Sequence, residues 1–209
     1  MNYVPATGKK AITQYQFNTM STETTNPVLE VLGMTENDAP LLDILDRGGS
    51  KHTRDSKLNF KSLFKSRHLT TEESILVGIA CGTATGNQKL SVALSEKGRE
   101  NEIPEEKIAD AVACGSLLTT NNILYRFRHL VGSDHYDQMP AGLRMQIMMN
   151  PVMGKELFEL ASLAVSAMNG CETCIKSHEQ TVLQSGGNRD RIFESIRIAS
   201  VIKGLSVIV

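Results

Sequence analysis

The apolar residues of this chain recur three and four positions apart, and no convincing stretch alternates. Leu41, Leu42, Ile44 and Leu45 form one such group, Leu58, Phe60, Leu63 and Phe64 a second, and Ile75, Leu76, Ile79 and Ala80 a third. That spacing lines one face of a helix. Thr70 and Thr71 before Glu72 and Glu73 read as a helix start, Pro104 followed by acidic residues reads as another, and "MNPVMG" at 149 to 154 breaks the chain again. The fold class expected is therefore all-α.

A shift of 84 residues lays one half of the sequence on the other without a gap: Glu72 falls on Glu156, Leu76 on Leu160, Ala80 on Ala164, Gly86 on Gly170 and Ile108 on Ile192. Each half reads as helix, glycine-marked turn, helix, polar loop, helix. The expected organisation is a flexible polar leader over 1–30, rich in Thr and Asn, and a single helical domain over 31–209. Its two repeats span about 72–124 and 156–208. The apolar ending "GLSVIV" is expected to be either cut short or packed in an oligomer.

The net charge is −1 and the cations are scattered, so no footprint for nucleic acid is present. No apolar stretch is long enough for a membrane span, and the first residues lack the apolar core of a secretory signal. The expectation is a cytoplasmic protein with neither a membrane nor a nucleic-acid partner. Its 209 residues contain four cysteines, too few for a disulfide scaffold. In a reducing compartment a CxxC pair is more often metal-binding or catalytic.

That pair lies in "AVSAMNGCETCIKSHEQ". Asn169 and Gly170 mark the junction between an apolar helix (156–168) and the next, which places Cys171 in a first helical turn, where free N–H groups favour a thiolate. Cys171, Cys174 and His178 share one face. On the preceding helix, Glu159, Ser162 and Ser166 form a polar stripe through otherwise apolar surface, and a buried Glu159 is expected to have a raised pKa. An acid near neutrality beside a histidine and two thiols can move protons to and from sulfur. The candidate catalytic set is Glu159, Cys171, Cys174 and His178.

Two other readings of the same residues stay open. Two thiolates with His178 and Glu159 are the ligand types of a zinc-stabilised, non-catalytic helical module, although no second CxxC or HxxxH pair accompanies them. Alternatively, the cysteines are small core residues. The first repeat has Asn87 and Leu90 at the matching positions, so the scaffold itself does not require thiols there. Cys81 and Cys114 lie in apolar stretches without a nearby histidine and read as core. His129, Asp134 and His135 read as a solvated loop between helices. Arg126, Arg128 and Arg144 read as cations paired with acids at a helix or subunit contact.

Taken together, the pattern E-x(11)-C-x-x-C-x-x-x-H, met by Glu159, Cys171, Cys174 and His178, resembles the alkyl hydroperoxide reductase AhpD family, within the carboxymuconolactone decarboxylase-like superfamily. The words "NNILYRFR", "GLRMQIMMNP", "FELASLAVSAMNGC" and "CIKSHEQT" carry the same resemblance. It is strongest from Asn121 to Val182, extends more weakly from about Asp55 to the C-terminus, and leaves the first thirty residues unmatched.

The resemblance implies an all-helical fold with an internal repeat, a homotrimer, and antioxidant reduction of organic hydroperoxides by thiols, with no tightly bound cofactor. It makes Cys174 the cysteine oxidised to a sulfenic acid and Cys171, the more accessible one, its partner in a redox disulfide. Electrons are implied to come from dihydrolipoyl groups on a lipoylated acyltransferase recharged by lipoamide dehydrogenase, with the peroxiredoxin AhpC as a protein that can be reduced in turn. Members of the family often carry a histidine before the second cysteine, where this chain has Thr173. Lactone decarboxylation, the chemistry of the superfamily's carboxymuconolactone members, does not depend on a CxxC pair, and the intact pair here argues against it.

Overall fold

Thr70 and Glu73 open the central helix with a reciprocal cap: the Thr70 side chain accepts from the Glu73 N–H, and the Glu73 carboxylate accepts from the Thr70 N–H at 2.8 Å. The computed structural model describes residues 26–35 and 38–209. The helices are α1 (Pro27–Leu32), α2 (Pro40–Arg47), α3 (Lys51–Ser62), α4 (Thr71–Ala84), α5 (Gln88–Glu100), α6 (Glu105–Val131), α7 (Asp134–Gln138), α8 (Lys155–Met168), α9 (Glu172–Gln184) and α10 (Arg189–Ile208). No strand occurs among the described residues, as the spacing of apolar residues requires.

Helices α4 and α8 are buried around most of their circumference, from Ser74 to Gly82 and from Leu157 to Ser166. Helix α4 packs on α5, α6, α8 and α10, and α8 packs on α6, α9 and α10. A helix apolar on all sides must be enclosed, so these two form the centre of the core. Gly115 lets α6 cross α4 at backbone contact, since a Cβ there would stand 2.4 Å from the Ala80 carbonyl oxygen.

Helices α4, α5 and α6 begin at 71, 88 and 105, and α8, α9 and α10 at 155, 172 and 189, each 84 residues later. The glycines before the second helix of each set, Gly86 and Gly170, both adopt positive φ, +80° and +66°. Lys107 pairs with Glu72 at 2.6 Å, and at the matching positions Arg191 pairs with Glu156 at 2.8 Å. Arg191 also reaches Glu73 at 2.7 Å, tying the second set to the first.

Several expectations are corrected. Residues 26–30 are not part of a flexible leader, because Asn26 caps α1 and Val28 and Leu29 are buried in the core; the rest of the stretch expected as leader, 1–25, lies outside the described residues. His129 is in the last turn of α6 and contacts Glu172 at 3.2 Å, while Asp134 and His135 begin α7, so this stretch is helical rather than a loop. Within the chain, Arg126 and Arg128 donate to the carbonyls of Asn169 and Met139.

Candidate active site

The turn from α8 to α9 is closed by main-chain bonds from Asn169 N to Val165 O at 3.0 Å and from Cys171 N to Ser166 O at 3.1 Å, with Gly170 between them. Cys171 is the N-cap of α9, in extended backbone, rather than a member of its first turn. Cys174 is the third residue of the helix. The two sulfurs are joined as a disulfide, with Cα atoms 5.3 Å apart. At the matching place in the first repeat, the Asn87 side chain accepts from the Leu90 N–H at 3.0 Å, so both repeats link N-cap to third residue, one by a hydrogen bond and one covalently.

His178 lies one turn beyond Cys174, and its Nδ1 stands 2.6 Å from Glu159 Oε2 on α8. The other carboxylate oxygen accepts from Lys155 Nζ at 2.7 Å. Burial is the largest single influence on Glu159 and pushes its pKa up. The hydrogen bonds and charges of His178 and Lys155 together outweigh it and hold the carboxyl below its ordinary value. The raised pKa expected from burial is therefore overturned by the contacts with His178 and Lys155.

The remaining members of the polar stripe on α8 serve α6 instead. Ser166 accepts from Asn122 Nδ2 at 3.0 Å, Asn122 Oδ1 accepts from Asn169 Nδ2 at 3.0 Å, and Ser162 lies 3.5 Å from the Cys114 sulfur. Cys114 and Cys81 are fully buried free thiols, as expected of core residues. Burial raises both, that of Cys114 to about 12 despite the Ser162 contact.

A cavity of about 450 Å³ opens beside the disulfide. Helix α9 lines it with Thr173, Cys174, Ser177 and His178, helix α6 with Leu118, Asn121, Asn122 and Tyr125, and the irregular segment before α8 with Met145 and Met148. Cys174 borders the cavity, whereas Cys171 has no exposed surface, which reverses the accessibility that the family resemblance implied. Thr173 Oγ1 stands 3.7 Å from the Cys171 sulfur. A larger open groove of about 910 Å³, bordered by α1, α3 and α5, is lined by no cysteine or histidine and so offers none of this chemistry.

The structure thus brings Glu159, Cys171, Cys174 and His178 together at one α8–α9 junction. The wall contributed by α6 and by the methionines was not among the residues the sequence singled out. Its signal was present: Leu118, Asn121 or Asn122, and Tyr125 follow helical spacing. In the disulfide form the two sulfurs are bonded to each other and His178 Nδ1 is engaged by Glu159. Among the described residues no three His, Cys, Asp or Glu side chains are grouped to hold a metal.

An all-helical chain with a CxxC at the start of a second-repeat helix defines a class, and residues 135–209 match the carboxymuconolactone decarboxylase family. Proteins named alkyl hydroperoxide reductase AhpD are similar over most of the chain. That of Anaeromyxobacter dehalogenans (strain 2CP-C) is 38% identical over 79% of this chain and 89% of its own. That of Methylobacterium sp. (strain 4-46) is 37% identical over 79% and 94%. That of Coxiella burnetii (strain RSA 493 / Nine Mile phase I) is 39% identical over 74% and 89%. The chain belongs to the AhpD family.

Proposed function

We propose that this protein is an antioxidant thiol peroxidase that reduces organic hydroperoxides through a cycle of the Cys171–Cys174 disulfide. The observation that carries the reading is that the sulfur at the cavity, Cys174, shares its helix face with His178, itself bonded to the buried Glu159. Family membership supports the substrate class.

In the cycle, the Cys174 thiolate attacks the terminal peroxide oxygen. The O–O bond breaks, Cys174 becomes a sulfenic acid, and the departing alkoxide takes a proton supplied through His178 and Glu159. The Cys171 thiol then attacks that sulfur, forming the disulfide and releasing water. A dithiol reverses this by attacking the sulfur it can reach, Cys174, and expelling Cys171 as a thiolate. That thiolate sits at the N-cap of α9, where main-chain N–H groups and the Thr173 hydroxyl favour negative charge. The second thiol of the reductant resolves the mixed disulfide and restores Cys174. The proposed route brings the reductant in at Cys174, the sulfur that borders the cavity, rather than at the buried Cys171.

Dihydrolipoyl groups on a lipoylated acyltransferase, recharged by lipoamide dehydrogenase, are the proposed reductant, and the peroxiredoxin AhpC is a proposed electron acceptor. The proposed assembly is a homotrimer in the cytoplasm. On α6, Ile123, Phe127 and Leu130 are 62%, 44% and 75% exposed along one stripe, an apolar face suited to burial between subunits. No helix of the described residues is long and apolar enough to cross a membrane.

The test starts from reduced protein, adds one equivalent of cumene hydroperoxide, and locates unalkylated cysteines by peptide mass after denaturation. Cys171 and Cys174 should be lost together while Cys81 and Cys114 stay labelled. Cys174→Ser should abolish turnover, and Cys171→Ser should allow at most one slow oxidation. Full labelling at all four positions, or turnover by Cys174→Ser equal to that of the unaltered protein, would sink the reading.

A further inference from the structure

Lys155 lies outside the cysteine motif, yet its ammonium is shared between the site and the cavity wall. Nζ donates to Glu159 Oε1 at 2.7 Å and to the Met148 carbonyl at 2.7 Å, and the second Glu159 oxygen meets His178. We propose that Lys155 is a positioning residue of the cysteine site, its ammonium fixing the Glu159 carboxylate against His178 and tying it to the methionine-bearing wall of the cavity. Its part in catalysis rests on the peroxidase reading above; its hold on Glu159 does not.

The placement has no purpose within the helix itself. Lys155 is the first residue of α8, and a cation at a helix N-terminus opposes the helix dipole. The N-cap, Gly154, has no side chain to bond the free N–H groups. What the ammonium does satisfy is a carboxylate whose side chain is 4% exposed, and a buried charge of that kind needs a partner.

The groups facing Glu159 leave no substitute for it. His178 approaches from α9. From α6 come the neutral thiol of Cys114 and, beyond it, Asp110, whose carboxylate accepts from the Met153 N–H at 3.1 Å. Neither α6 group can offer positive charge. With one oxygen held by Lys155, the carboxylate presents the other to His178 Nδ1, which leaves Nε2 as the ring nitrogen free to exchange a proton.

The Met148 carbonyl belongs to a short 3-10 turn, Gln146–Met149, and the Met148 side chain lines the cavity. One ammonium therefore spans the wall, α8 and, through Glu159, α9. A purely structural ion pair would shift the Glu159 titration and the stability together but leave the pH profile of the oxidation unmoved, so a moved titration with an unmoved rate profile would also overturn the proposal.

The experiment compares unaltered protein, Lys155→Arg and Lys155→Met in two ways. The Glu159 carboxylate is titrated by carbon-13 NMR, and the first-turnover oxidation of reduced protein by cumene hydroperoxide is followed against pH. In Lys155→Met, Glu159 should titrate at higher pH. The acid limb of the rate profile should move the same way, so that the rate at acid pH falls about tenfold relative to its own value at alkaline pH. Lys155→Arg should follow the unaltered protein, and circular dichroism should show equal helix content in all three. Coincident Glu159 titrations in Lys155→Met and the unaltered protein would overturn the proposal. If Glu159 moves as expected while the unaltered protein consumes no hydroperoxide, the peroxidase reading fails and the positioning role stands.

Discussion

His178 Nδ1 lies 2.6 Å from Glu159 Oε2, a contact that joins α9 to α8 across the face where the disulfide sits. The carboxylate fixes the orientation of the ring, as an acid behind a catalytic histidine does. Glu159→Gln keeps the shape and removes the charge. It should lower the rate of hydroperoxide-driven Cys174 oxidation by about 100-fold. Adding His178→Gln should cost little more, because the two act as a unit. Stopped-flow measurement of single and double variants checks this; fully additive losses would separate the two residues.

The same contact makes stability depend on pH. Glu159 has a lowered folded-state pKa, so it binds its proton more readily in the unfolded chain. Its stabilisation is fully present above the unfolded value, near 4.5, and is lost as pH falls through that value toward the lower folded one. Urea denaturation from neutrality to acid should show the unaltered protein losing stability below this point faster than Glu159→Gln. Parallel curves would contradict the assignment.

Thr173 stands where the family resemblance implies a histidine, and its hydroxyl lies 3.7 Å from the Cys171 sulfur. If that hydroxyl donates to the departing Cys171 thiolate, Thr173→Val should slow reduction of the oxidised protein by dihydrolipoamide by about threefold to tenfold. Thr173→Ser should keep the rate. A slowed rate in both variants would point to packing instead.

At the α4–α6 crossing, Gly115→Ala would place a Cβ 2.4 Å from the Ala80 carbonyl oxygen and 2.8 Å from Thr83 Cβ. Helical backbone cannot yield as a side chain can, so the variant should lose about 1–3 kcal/mol by urea denaturation. The shift should appear in the midpoint with the slope retained.

Much of the architecture was legible because helical periodicity and capping chemistry are local. Thr70, Pro104 and the Asn169–Gly170 junction each marked a boundary that the structure contains. Helix α1 escaped notice because six residues, one of them proline, carry too little periodicity to stand out from a polar leader. Glu159 was found, but the direction of its pKa was not. Burial is visible in an apolar pattern, whereas the answer depended on where Lys155 and His178 point. The cavity wall at Met145 and Met148 lies in a segment without regular period, so only three-dimensional placement relates it to Cys174. The exposure of the two cysteines also required the fold, since a shift of one residue at the helix start puts Cys171 at the cap.

Asn87 and Cys171 hold the same place in the two repeats, and each reaches the third residue of its helix, Asn87 through a hydrogen bond and Cys171 through a sulfur bridge. Asn87 keeps its tether under all redox conditions. Cys171 loses its own whenever the pair is reduced, so the first turn of α9, which also carries Thr173 against the cavity, becomes free to fray. Amide hydrogen exchange at Thr173, Cys174 and Ile175 should therefore quicken on reduction while the matching amides of α5 stay unchanged. The redox state of the pair would then be written in the backbone mobility of a single helical turn, at the edge of the cavity that Thr173 and Cys174 line.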